Sequence, residues 1–225
     1  AVGRSQEMLY QFGKHFEEWG LKDWKIFLDS PMAIEASDTY WDYPHLYDDE
    51  ATKLRAEHDE MPKLKNLFFT KSGSESRVIN KLERGAIIIA GSGMCNAGRI
   101  VHHLKHNLWR RECQIIMVGY QAQGSIGRQL VDGRRFIKIH GQSIRAAAQV
   151  HTVGGLSAHG DEDDLAHWYG QINHHPPVRL VHGETRRADL LKKRLENDFP
   201  TKVQLTEPGD EIDLLSLQSL TPHLD

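Results

Sequence analysis

An α/β fold built on a mainly parallel sheet is predicted by two features of the chain: short apolar runs of strand character, and amphipathic helical stripes that fall between them. The runs lie at Lys25 to Leu28, Leu67 to Phe69, Ala86 to Ala90, Ile115 to Val118 and Val178 to Val181. Helical spacing links Met8, Leu9, Phe12, Phe16 and Trp19 at the start of the chain. It also links Ile100, Val101, Leu104 and Leu108, then Leu165, Trp168, Tyr169 and Ile172, and finally Ala188, Leu191, Leu195 and Phe199. Strands that are apolar throughout are buried on both faces, and crossover helices cover them, so the alternation reads as βαβα. Phe136 to Val153 lacks a helical stripe and reads as strands near a junction, which divides the chain into residues 1–150 and 151–225. Asp42 to Pro62 reads as a charged helix and loop excursion.

With 39% hydrophobic and 26% charged residues, the chain has ordinary globular usage, which excludes a chain that is disordered throughout. No apolar run approaches the roughly 20 residues of a membrane span, so a soluble protein without a membrane partner is expected. Cys95 and Cys113 have no C-x-x-C partner; they support neither a disulfide framework nor a cysteine-based zinc site, and point to a reducing, cytoplasmic compartment. The sequence opens at Ala1 with no Met and no basic-then-apolar run, so neither a signal nor a transit peptide is expected in it, and an excised fragment is.

The formal charge of −3 conceals an asymmetry: residues 29–60 hold ten acids against two bases, and residues 99–145 hold nine Lys/Arg against two acids. A basic face of that kind attracts a polyanion and strengthens phosphate contacts through counterion release; an ordinary solvated surface is the competing account.

Four segments sit where a predicted strand gives way to a helix, the place where side chains and free helix N–H groups converge in such sheets. In Ala90 to Arg99, the glycines with Ser92, Met94 and Arg99 form a turn able to cradle a phosphate, or else a tight turn that needs glycine only for its backbone angles. The segment is neither a Walker A sequence nor a G-x-G-x-x-G fingerprint. Gly119 to Arg128 repeats the device with Gly124 and Arg128; two adjacent turns can follow successive phosphates of a single strand, or serve as caps. Ser157-Ala158-His159-Gly160-Asp161 and Val181-His182-Gly183-Glu184 each place a histidine at a strand end, as a metal ligand or a general acid, with Asp161 able to fix a tautomer. His102, His103 and His106 read as a wet or RNA-facing surface, with no H-E-x-x-H pattern.

Taken together, Val2-Gly3-Arg4-Ser5-Gln6-Glu7, Asp29-Ser30-Pro31-Met32-Ala33, Gly91-Ser92-Gly93-Met94, Gly119-Tyr120-Gln121-Ala122 and the two histidine segments resemble the β-CASP branch of the metallo-β-lactamase fold. Its members process RNA or DNA, and the opening helix and Ser-Gly-Met turn are similar to those of nucleases related to the pre-mRNA 3′-end cleavage subunit. The resemblance implies a β-CASP domain over 1–150, with a mainly parallel sheet flanked by helices, and the C-terminal portion of an αββα metallo-β-lactamase domain over 151–225. It implies that His159 matches motif B, contacting the scissile phosphate and protonating the leaving oxygen with Asp161 beside it. His182 matches motif C, a zinc ligand in RNA-directed members. Two zinc ions about 3.5–4 Å apart would activate a water for in-line attack at phosphorus. The substrate-binding set expected is Arg4, Ser92, Gly93, Met94, Arg99, Gly124, Arg128 and Ser157.

The chain departs from the family in one respect. No H-x-H-x-D-H cluster occurs in it, and one histidine cannot hold two zincs. The expectation is therefore a fragment of a zinc-dependent ribonuclease, acting as an endonuclease, an exonuclease or both when complete. Alone, it would bind no zinc tightly and would be inactive. The expected partners are RNA, the missing N-terminal half and, in a homodimer, a second copy of itself. A non-catalytic RNA-binding or scaffold module is the alternative.

Overall fold

The computed structural model describes residues 2–56, 64–156 and 160–213. The chain divides into two units, Ala1–Ser157 and Ala158–Asp225. The first runs α1 (Val2–Lys14), β1 (Lys25–Leu28), α2 (Pro31–Asp42), α3 (Asp49–Ala56), β2 (Leu67–Phe69), α4 (Gly73–Ile79), β3 (Ala86–Ile89), α5 (Arg99–Asn107), β4 (Gln114–Met117), α6 (Ile126–Val131), β5 (Phe136–Ile139), β6 (Gln142–Arg145) and β7 (Gln149–Thr152). The second runs α7 (Glu162–Gly170), β8 (Val178–Leu180), α8 (Thr185–Asp198) and β9 (Val203–Leu205).

Helix starts follow from local chemistry. Ser30 caps α2 by accepting from the Ala33 N–H, and Pro31 occupies the first turn, where a missing N–H costs nothing. Ser72 and Glu75 cap α4 reciprocally, as a capping box. The apolar stripe of the opening helix outlasts the helix itself: α1 ends at Lys14, and Phe16 and Trp19 lie in the turns that follow, before Gly20 takes a left-handed φ of 62°. Gln6, buried on α1, donates from Nε2 to the Ala33 carbonyl and to Ser37 Oγ, both 2.9 Å away, and so ties α1 to α2.

The sequence predicts one mainly parallel sheet. The described strands instead form small sheets: β2-β1-β3 parallel, β4-β7 parallel and β8-β9 parallel, with β5-β6 an antiparallel hairpin. β3 and β4 are not paired with each other; they meet through the turns that follow them. The pairing of β7 with β4 carries the first unit past residue 150. One apolar core gathers Leu9, Phe12, Ile26, Leu28 and Ile34 beneath the first sheet. A second gathers Val101, Leu104, Leu108, Met117, Ile137 and Ile139. In the second unit Ala166, Tyr169, Leu195 and Val203 are buried together. No described helix is long and apolar enough to cross a membrane.

Candidate nucleic-acid interface

Asp29 follows β1 directly and is fully buried, so its charge must be met inside the protein. Oδ1 accepts from Thr70 Oγ1 at 2.5 Å and Arg99 Nη1 at 2.6 Å; Oδ2 accepts from Ser76 Oγ and faces His103 Nε2, each at 2.6 Å. Burial by itself pushes the Asp29 carboxyl up. The hydrogen bonds from His103, Ser76, Thr70 and Arg99 outweigh it and hold the group far below the usual carboxylate range. Arg99 also donates to the Thr70 carbonyl at 2.7 Å and the Lys71 carbonyl at 2.8 Å. Both terminal nitrogens of Arg99 are thus committed within the fold, anchoring the start of α5 to the ends of β1 and β2.

This network corrects one expectation. His103 is not part of a wet surface with His102 and His106: it is 4% exposed, with Nδ1 3.1 Å from Asn80 Oδ1. His102 and His106, on other faces of α5, are exposed. The spacing of the three histidines along one helix carries no signal of which one turns inward; only an acid at the end of a distant strand decides it.

The turns after β3 and β4 interlock. Gln121, buried, donates from Nε2 to the Gly93 carbonyl at 2.8 Å, and the Ala122 N–H meets Met94 Sδ at 3.2 Å. The Ile126 N–H donates to Asn96 Oδ1 at 2.8 Å, the Gly127 N–H to the Met94 carbonyl at 3.1 Å, and the Arg128 N–H to Ser125 Oγ at 3.0 Å. At α5, the Ile100 N–H donates to the Gly91 carbonyl at 3.1 Å. The sequence offers these helix N–H groups to a phosphate; in the fold those of Ile126 and Gly127 hold one turn against the other, and those of Arg128 and Ile100 close their own turns. Gly98 closes the first turn at φ 75°, and a Cβ there would stand 2.5 Å from the Gly91 oxygen, so no other residue fits without displacing backbone.

The interlock leaves Gly93, Asn96 and Gly124 exposed, with Ser92 and Met94 partly so. Arg4 reaches the same place from α1: its guanidinium lies where a Cβ on Gly119 would be, 2.3 Å from Nη1. Arg4, Ser92, Gly93, Met94 and the Gly119 turn, distant in sequence, are therefore brought together. Arg128 points along α6 and pairs with Asp132 at 2.8 Å.

In the second unit, Asp161 caps α7, its Oδ1 accepting from the Asp163 and Asp164 N–H groups at 3.0 Å, with Asp164 returning the bond to the Asp161 N–H. His182 is exposed in the turn between β8 and α8, with a left-handed φ of 61°. Ser157 and His159 lie outside the described residues. Among the described residues no three His, Cys, Asp or Glu side chains are grouped to hold a metal ion, so these residues alone do not fit a zinc pair. Cys95 is buried in the second core, its thiol pushed up to about 11 by that burial, which disfavours the thiolate a metal requires.

Residues 5–130 match the Beta-Casp domain, and residues 143–205 match the Zn-dependent metallo-hydrolase RNA specificity domain. The chain is 34% identical over 197 residues to ribonuclease TTHA0252 of Thermus thermophilus, an alignment covering 87% of this chain and 44% of that protein. It is 31% identical over 222 residues to the transcription termination factor FttA of Pyrococcus abyssi, covering 95% of this chain and 34% of that one. The chain thus spans less than half the length of these relatives. A match that runs from α1 through α6, across Asp29, its buried partners and both interlocked turns, places this chain in the Beta-Casp family.

Proposed function

We propose that the chain is the RNA-holding portion of a metal-dependent ribonuclease, residues 1–150 forming its β-CASP domain and 151–225 part of its metallo-β-lactamase domain. The observation that carries this reading is the convergence of Arg4, Ser92, Gly93 and Met94 on one pair of rigid turns. The Arg4 guanidinium and the exposed backbone at Gly93, held in place by the bonds between the turns and by the Ser92 hydroxyl donating to the Ala97 carbonyl, suit a sugar–phosphate backbone and carry no base preference. The RNA specificity match over 143–205 and the ribonuclease relative favour RNA over DNA.

The zinc ions of such an enzyme would supply the activated water. His182 is the residue of this chain offered to them, and the remaining ligands belong to the longer protein. His159 and Asp161 are assigned to the scissile phosphate and leaving group, Asp161 holding the start of α7 that follows His159. On this reading the 225 residues bind RNA without cutting it.

The test incubates a labelled RNA oligomer with this chain and with the longer protein, each with zinc and with a chelator. Binding by both, and cleavage only by the longer protein without chelator, supports the proposal. A chain that leaves RNA unbound at low salt overturns it. A binding or scaffold role without cleavage is the alternative the sequence leaves open. A longer protein that binds RNA, holds no zinc and cuts nothing would establish that second role.

A further inference from the structure

The basic excess of residues 99–145 is not spread evenly. Among the described residues three of its nine cations are paired with carboxylates: Arg99 with Asp29, Arg110 with Glu112 at 3.0 Å, and Arg128 with Asp132 at 2.8 Å. Glu112 and Asp132 are the only acids of that stretch, and no Asp or Glu follows until Asp161. Among the described residues, Arg111, Arg135 and Arg145 have no carboxylate within ion-pair distance, and these three line one hollow of about 510 Å³ with Phe136, Ala146 and Ala147.

The hollow is built by backbone. The Ala146 N–H donates to the Arg135 carbonyl at 2.8 Å, and the Ala147 and Ala148 N–H groups both donate to the Leu108 carbonyl at 2.9 Å, which fixes the hairpin against the end of α5. Alternation along the hairpin turns Ile137 and Ile139 inward and leaves Phe136, Lys138 and Arg145 outside. Phe136 stands directly opposite Arg145 in the antiparallel register, and its ring is 61% exposed. Cross-strand neighbours lie about 5 Å apart. A planar apolar ring and a guanidinium side by side, with two further guanidiniums around the same hollow, match the base and phosphates of a single-stranded nucleic acid.

The place differs from the interface above. Arg111 precedes β4 and Ala147 precedes β7, whereas the interlocked turns begin where β4 ends. In a parallel pair these are opposite ends of the strands, roughly 13 Å apart across four residues.

We propose that Arg111, Arg135, Phe136 and Arg145 form a second contact site for single-stranded RNA, gripping a stretch that flanks the part held by the turns. The site rests on the RNA reading proposed above. The exposed ring offers a base a face to stack on while the guanidiniums around it meet phosphates, the pairing of chemistries that a single strand of RNA supplies along its length; an acidic protein is the occupant that the polyglutamate arm below tests.

The experiment measures binding of a fluorescein-labelled oligouridylate to the full chain across a KCl series. Replacing Arg111, Arg135 and Arg145 together by Ala lowers the slope of log affinity against log salt by about 2. The triple Lys variant keeps the slope. Phe136→Ala weakens binding about 10-fold with the slope unchanged. All four side chains are exposed, so none of these changes empties a core. An unchanged slope in the triple Ala variant, while the wild-type chain binds RNA, overturns this site and leaves the proposed function standing. A wild-type chain that binds no RNA overturns both. An unaltered affinity in Phe136→Ala, or polyglutamate displacing the RNA at equal charge, overturns the assignment to nucleic acid.

Discussion

His103 Nε2 lies 2.6 Å from Asp29 Oδ2, and both side chains are shut away from water. The two residues are 74 positions apart, and with Arg99 they bind the first turns of α5 to the end of β1. Removing the carboxylate's charge leaves a partly buried guanidinium and a buried imidazole facing a neutral amide. Asp29→Asn is expected to cost about 3–5 kcal/mol, read as a lower urea midpoint with an unchanged slope. A loss under 1 kcal/mol would mean that the network is decoration.

The same group sets a pH dependence. Asp29 in the folded state sits below its unfolded value, which is about 4. Its contribution is therefore complete above that unfolded value and drains away as pH falls through the folded one. Denaturation curves of the wild-type chain should weaken progressively below about pH 4, and those of Asp29→Asn should weaken less over the same range.

Gly98→Ala tests the interlock. With φ at 75° and the Gly91 oxygen in the way, alanine should introduce strain of about 1–3 kcal/mol, and RNA affinity should fall with it as Ser92 and Gly93 shift. Thermal melts and the RNA titration together check this; full stability with full binding would show that the turn geometry is not needed.

Asp161 allows a cap to be separated from chemistry. Asp161→Ala should cost about 1 kcal/mol, whereas Asp161→Asn, an equally good cap, should leave stability nearly unchanged. In the longer protein, RNA cleavage that falls in the Asn variant while stability holds would assign the carboxylate a role at His159; full activity in Asn would leave it as a cap.

In the longer protein, His182→Ala should lower both bound zinc and RNA cleavage, by at least the roughly 10–100-fold that loss of an outer-shell partner costs. Metal analysis beside turnover decides. Wild-type zinc content with wild-type turnover removes His182 from the ligand set.

Much of the local structure was legible from residue order. Lys25–Leu28 and Leu67–Phe69 stand as strands where their apolar runs put them, and the stripe through Ile100, Val101, Leu104 and Leu108 became α5 with Leu108 at its cap. These elements depend on neighbours a few positions away, which is the range over which periodicity and caps act. The apolar stripe outruns α1 because Phe16 packs on the first core from the turn after the helix, while Trp19 stands exposed beyond it, and spacing alone does not tell a turn from a further helical turn.

By itself, then, the sequence determined the elements, the glycine turns between them and the family they belong to, because each is written in contiguous residues. Which arginines are neutralised and which stand open was decided only by the tertiary structure. Asp29 draws in Arg99 and His103 across 70 and 74 positions, Gln121 fastens onto Gly93, and Arg135 and Arg145 are brought to one hollow. Charge partners are chosen by distance in space, and a buried carboxylate must find its donors wherever the chain returns to it.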